Sequence, residues 1–359
     1  MAWRGGEEEA GLARAGARER ELTRALLLVS AAPVLLVLAP ARAPRLLARS
    51  PARALWRVLL GGWLGCWIWL TPHSVAAGDA YTALQTYKTF HARSQKKGDW
   101  SVALDVVRSG SLVMLKHHEL TAGTELALLL VDTLEAGKVE QTAELIDVVR
   151  DISSAFELVE GNKELKLEAA RNQARFLKQA ITWSQLDHCG QHLRGDPALH
   201  LLRAKSLTRS GQLSAAASNY LHTGQPKEFA TFLFSWTCMG YASERDLFLA
   251  RAVLQLLALE NLRDANVLYE SFVGLLALKG QPLKPTPLAN FVRMLLKTVE
   301  REAYPLFQVL VQKYTPSLNR DASFQQLLDR IQEVYFGVRV QKRGMQAMLD
   351  NMLGMFGGR

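Results

Sequence analysis

From residue 76 onward, apolar residues recur at three- and four-residue spacing almost without a break, and strand-like alternation is absent. A chain patterned this way can bury its apolar stripes only by packing helix against helix. Phe324, Leu327, Leu328, Ile331, Val334 and Tyr335 form one stripe, with Asp321 placed to cap the helix start and Gly337 to end it. Leu306, Leu310 and Tyr314 form another, opened by Pro305 and closed before Pro316. Asp246–Leu259 is apolar almost all round, which predicts burial on several sides. The turns share a grammar of a glycine, a large residue and then a small one. Gly78-Asp79 leads to Ala83, Gly98-Asp99-Trp100 to Ala103, Gly137-Lys138-Val139 to Ala143, and Gly211-Gln212-Leu213 to Ala216. Glycine ends one helix in a left-handed cap, and the small residue lets the next helix approach closely. The spacing is looser than a strict tetratricopeptide period. At roughly 20 residues per helix and turn, the body holds about 14 helices. The expected fold class is all-α, an α-solenoid of stacked helical hairpins.

Lys279–Pro287 interrupts the rhythm with three prolines and a glycine, so it reads as a loop or one small β-hairpin projecting from the array. Residues 339–359 form a tail in which Met345, Met348, Leu349, Met352, Leu353 and Phe356 keep helical spacing. Methionine is flexible and polarizable, and suits adaptable binding surfaces as well as a docked terminal helix.

Residues 1–75 differ from the rest. They hold ten Arg, no Lys and five of the eight Trp, and carry +5 of the net charge of +9. The uncharged runs Ala25–Ala41 and Val58–Gly78 reach the lower length for a membrane span. Three expectations stand side by side: a gene-model extension or disordered leader, a targeting or anchoring segment, and helices packed into the core. Membrane contact is expected only if this leader is real. The remaining body carries +4, too little to imply nucleic acid, and has no basic stripe interleaved with aromatics.

Reaction machinery is not expected, since the chain has no phosphate-binding glycine loop, HExxH, GxSxG or paired CxxC. Three widely spaced cysteines argue against a disulfide framework. His117-His118-Glu119 and Asp187-His188-Cys189 are sequence neighbours whose side chains diverge on a helix. Neither cofactor nor metal is predicted. Arg93, Lys96 and Lys97 cluster before the Gly98 turn, as a solvated helix end or as a docking face.

The stretches at 314–338 (YTPSLNRDASFQQLLDRIQEVYFGV), 243–266 (SERDLFLARAVLQLLALENLRDAN) and 287–299 (PLANFVRMLLKTV) resemble the Golgi to ER traffic protein 4 family. GDAYTALQTYKTF (78–90) and MLDNMLGMFGG (348–358) are similar to the family's second helix and its tail. The resemblance implies a cytosolic, non-enzymatic scaffold for delivery of tail-anchored membrane proteins. It implies docking of a targeting ATPase (Golgi to ER traffic protein 3-like) on the N-terminal half, where Lys88, Arg93, Lys96 and Lys97 lie. It also implies docking of a ubiquitin-like-domain protein (Golgi to ER traffic protein 5-like) on the C-terminal half. Leu283, Tyr335, Phe336, Met348, Met352 and Phe356 are the expected contacts there, with Phe336 freer than Tyr335. The charged first helix of the family is replaced here by the Trp-rich 62–77 segment, which puts the ATPase face in question. The helical pattern alone equally allows a subunit of a proteasome-lid-like or signalosome-like assembly, or a membrane-anchored solenoid adaptor.

Overall fold

The computed structural model describes residues 79–185, 194–280 and 283–338, all within one compact unit, Trp67–Arg359. Among the described residues there are thirteen α-helices, a 3-10 turn at Ala242–Glu244 and no strand. The N-terminal helices are α1 (Ala80–Lys97), α2 (Trp100–Lys116), α3 (Leu120–Ala136), α4 (Ala143–Glu157), α5 (Lys163–Ser184) and α6 (Pro197–Arg209). The C-terminal ones are α7 (Leu213–Tyr220), α8 (Pro226–Thr237), α9 (Arg245–Ala258), α10 (Leu262–Leu278), α11 (Pro287–Glu300), α12 (Tyr304–Leu318) and α13 (Ser323–Phe336). The all-α solenoid is what the periodicity predicts, and the described part of the Pro-rich interruption contains no strand.

Two layers build the N-terminal half. Helices α1, α3 and α5 neighbour one another in one layer, and α2, α4 and α6 in the other. Polar ties run along each layer: Lys88 to Glu125 and Gln179 to Asp132 in the first, Arg108 to Asp151 and Arg209 to Glu157 in the second. The turn grammar explains the close stacking. Gly98 and Gly211 sit at φ 78° and 77°, and Ala83, Ala103 and Ala216 are buried. Gly110 on α2 has no room for a side chain, because an added Cβ would lie 2.8 Å from the Tyr87 ring. One turn departs from the grammar. Gly137 is right-handed, Lys138 takes the positive φ of 47°, and Ala143 is exposed as the first residue of α4 rather than packed.

The C-terminal half is organised around α9. As its all-round apolarity predicts, α9 packs against α8, α10, α11 and α13. Helix α13 lies chiefly on α9 and touches α12 only slightly, so the Phe324–Tyr335 stripe does not pair with an α12 stripe as the sequence suggests. Nor is Leu306 in the α12 stripe. Phe307, Leu310 and Leu318 face inward, and Leu306 is 48% exposed. Helix α12 also runs through Pro316 instead of closing before it. The carbonyl of Gln312, which loses its helical partner at Pro316, accepts the Thr315 hydroxyl at 2.9 Å. At the α12–α13 turn, the Asp321 carboxylate accepts from the Ser323 N–H and hydroxyl, and Gly337 ends α13 at φ 68°.

Two apolar cores result, one spanning Ala83 to Leu199 and the other Ala174 to Ile331, overlapping at α5 and α6. Buried polar side chains sit among the apolar ones at this overlap. Buried Gln173 donates to the Ser153 carbonyl and hydroxyl oxygens, and Arg209 donates to Gln173 at 2.7 Å. Nearby, Asn219 accepts from Arg203, and its side-chain oxygen lies 3.2 Å from His200 Nδ1. The His222 ring packs 5.0 Å from His200. Burial, helped by the His200 and Arg194 charges, drives the His222 pKa from 6.5 to about 4.

Two outcomes follow from this packing. The Asp246 carboxylate, 2% exposed, is met by Arg320 at 3.0 Å. Arg320→Ala strands a buried charge and should cost about 2 kcal/mol in urea denaturation, less than a fully buried pair because Arg320 is 38% exposed. His222 stays neutral in the fold while the unfolded chain protonates below 6.5. Its contribution is therefore whole above pH 6.5 and is lost as the pH falls toward 4. His222→Phe should flatten the fall of the thermal midpoint across that window.

Candidate partner-binding surfaces

Helix α1 begins with Asp79 accepting the Thr82 N–H at 3.1 Å and ends in the Gly98 cap, where Asp99 N–H returns to the Ser94 carbonyl. Its buried face is Ala83, Leu84, Tyr87, His91 and Ser94. Helical periodicity then carries Arg93, Lys96 and Lys97 to the opposite side, where all three are exposed. None of them meets a carboxylate among the described residues. Lys88 behaves differently, being half-buried and paired with Glu125 of α3. It braces the face rather than extending it. A second brace lies beneath. The Thr133 hydroxyl donates to the Leu129 carbonyl, so its oxygen accepts from His91 Nε2–H at 2.7 Å. Burial lowers the His91 pKa and keeps that tautomer neutral. The result is a rigid helix carrying three uncompensated cations, a surface suited to steering an acidic partner.

The C-terminal candidates are placed less freely than the sequence suggests. Phe336 is half-buried, with its ring 5.3 Å from Tyr304 and 5.2 Å from Phe307. Tyr335 is half-buried as well, and burial next to Glu260 raises its pKa. Its hydroxyl is buried with no hydrogen-bond partner among the described residues. Leu283 packs against the same C-terminal core just before α11. Met348, Met352 and Phe356 lie outside the described residues, as do Asp187-His188-Cys189 and residues 1–75.

What the structure exposes instead is the outer side of α12. Leu306 is 48% exposed and Val309 57%, one turn apart, with exposed Lys313 continuing the row. Leu278 at the end of α10 is 84% exposed. The signal was present in the sequence, since Pro305–Val311 is apolar on more than one face. A three/four stripe through Leu306 and one through Phe307 fit the spacing equally well.

His118 Nδ1 accepts the Glu160 N–H at 3.1 Å, tying the α2–α3 turn to the α4–α5 turn. Among the described residues, no group of three His, Cys, Asp or Glu side chains is placed to hold a metal ion. No described helix is long and apolar enough to cross a membrane.

Comparison with known proteins adds relatives to this geometry. The family model described as Golgi to ER traffic protein 4 matches residues 97–356. Protein GET4 of Arabidopsis thaliana is 33% identical over 304 residues, covering 79% of this chain and 93% of the relative. The Golgi to ER traffic protein 4 homolog of Dictyostelium discoideum is 32% identical, covering 78% and 86%. The human homolog is 30% identical, covering 78% and 83%. Among solved structures, the crystal structure of C. therm. Get4 superposes with a TM-score of 0.69 at 27% identity, covering 82% of this chain and 96% of that one.

Proposed function

Since the chain belongs to the Golgi to ER traffic protein 4 family, we propose that it is a non-enzymatic scaffold for delivering tail-anchored membrane proteins to the endoplasmic reticulum. It works in the cytosol and bridges two partners. A targeting ATPase docks on the cationic face of α1, and a ubiquitin-like-domain protein docks on the C-terminal half. The scaffold spans residues 76–338, and the Met-rich tail at 339–359 adds Met348, Met352 and Phe356 to the second grip. Holding both partners on one rigid array raises their mutual effective concentration, so client transfer outpaces release.

The observation that carries this reading is the separation of two unlike surfaces on one stack. Three unpaired cations lie on the first described helix, and an exposed apolar row lies on the last but one. Charge on an exposed helix sets encounter rate, whereas apolar side chains supply the anchors that slow dissociation. The two surfaces therefore suit two partners of different chemistry.

Charge reversal tests the first. Arg93→Glu, Lys96→Glu and Lys97→Glu together should slow ATPase association about tenfold or more at low salt and converge with the wild type at high salt, with an unchanged thermal midpoint. Equal association rates at low salt would leave the cluster as a solvated helix end. For the second surface, Leu306→Asp with Val309→Asp should weaken binding of the ubiquitin-like-domain protein by roughly 2 kcal/mol or more while stability changes by less than about 0.5 kcal/mol per site. Phe336→Ala serves as the contrast. Its packing on Tyr304 and Phe307 should make it lower the thermal midpoint, as should the core change Leu328→Ala at ~2–5 kcal/mol. Normal partner affinity in the double aspartate variant would remove α12 from the interface.

A further inference from the structure

Away from both of these surfaces, the α4–α5 connection, the first turns of α5 and the end of α6 enclose a cleft of about 380 Å³. Its floor is apolar. Phe156, Val159, Ala169 and Ala170 are buried there, and half-buried Leu167 closes one wall. Its rim is cationic, formed by Lys163, Lys166 and Arg209 with Glu157 as the single acid. Arg209 is fixed in place because it donates to Glu157 and to Gln173, each at 2.7 Å. That pair neutralises Glu157, and Lys163 and Lys166 are left exposed with no carboxylate partner among the described residues. The acids nearest them on the same helix, Glu164 and Glu168, lie on another face of α5. Lys163 is also the first residue of α5, so the helix dipole adds potential of the same sign. Leu158, between the lining residues Glu157 and Val159 in the chain, is 73% exposed.

An occupant has to satisfy an apolar floor and two uncompensated ammonium groups at once. A cleft of this volume admits two or three side chains and not a folded domain. We propose that it is a docking site for a short acidic, apolar peptide segment of a partner protein, whose large apolar side chains enter the cleft while alternating carboxylates meet Lys163 and Lys166. Such a segment would be clamped where the two cores overlap, on residues that belong to neither surface assigned to the ATPase or to the ubiquitin-like-domain protein.

The probe is a fluorescein-labelled octapeptide of alternating aspartate and leucine, titrated with the full-length chain at about 50 mM salt and followed by fluorescence anisotropy. Saturable binding is expected, weakened at least tenfold by Lys163→Glu with Lys166→Glu and about threefold by Leu167→Ala. Both lysines are exposed, so the double variant should keep its helical circular dichroism and thermal midpoint. Octapeptides of alternating aspartate and serine, or of alternating lysine and leucine, should bind at least tenfold more weakly than the probe. Equal binding of the aspartate–serine peptide would reduce the cleft to general surface charge and overturn the proposal. Unchanged affinity in the double lysine variant would place the peptide elsewhere, and absence of saturable binding would remove the site.

Discussion

A helix with apolar residues on most of its faces needs neighbours on most of its faces, and α9 imposes that demand on the C-terminal half. Its buried residues, among them Leu249, Val253, Leu254, Leu256 and Leu257, are covered by α8, α10, α11 and α13 together. The placement of α13 follows from this. Its Phe324–Leu328–Ile331 face goes to α9 because that is where uncovered apolar area remains, and the Arg320–Asp246 and Arg251–Asp321 pairs fasten the α12–α13 turn over the start of α9. Helix α12 is then held mainly by α11, and its outer side is left in solvent. The exposed Leu306–Val309 row is thus a by-product of how α9 is satisfied.

The N-terminal half shows the complementary arrangement. Each layer there repeats one neighbour contact, with small residues such as Gly110 and Ala103 setting the distance. Regular stacking leaves the outer side of α1 free to carry Arg93, Lys96 and Lys97, while Lys88 and His91 hold the helix to α3. Stiffness below and uncompensated charge above come from the same 18-residue helix.

Much of this was legible in the sequence, and the limits are physical. Periodicity gave the all-α class, the burial of the Asp246–Leu259 helix on several sides and the left-handed turns at Gly98 and Gly211, because each depends on local pattern. The errors lie where a local pattern fits two tertiary partners. Leu306 and Phe307 both complete three/four stripes on α12, and only the position of α11 decides between them. Pro316 looked like a helix end because the Thr315 side chain that replaces the missing bond is not a backbone signal. Phe336 looked free from its adjacency to Tyr335, yet the return of α13 brings it onto Tyr304. The cleft beside Lys163 left no trace in the one-dimensional pattern. It exists only because α4 and α6 end where α5 begins.

The buried polar side chains at the overlap of the two cores have a consequence for how the array opens. In a stack where each repeat touches only its neighbours, unfolding spreads across an interface in proportion to the apolar area that the interface shares. At α5 and α6 that shared area is thinned by Gln173, Ser153, His200 and Asn219, whose hydrogen bonds hold only while both sides are in register. Amide hydrogens in α1–α4 and in α9–α13 should then exchange with separate free energies, as two foldons joined at α5–α6. A chain built this way can let one half breathe against its partner while the other half keeps its grip.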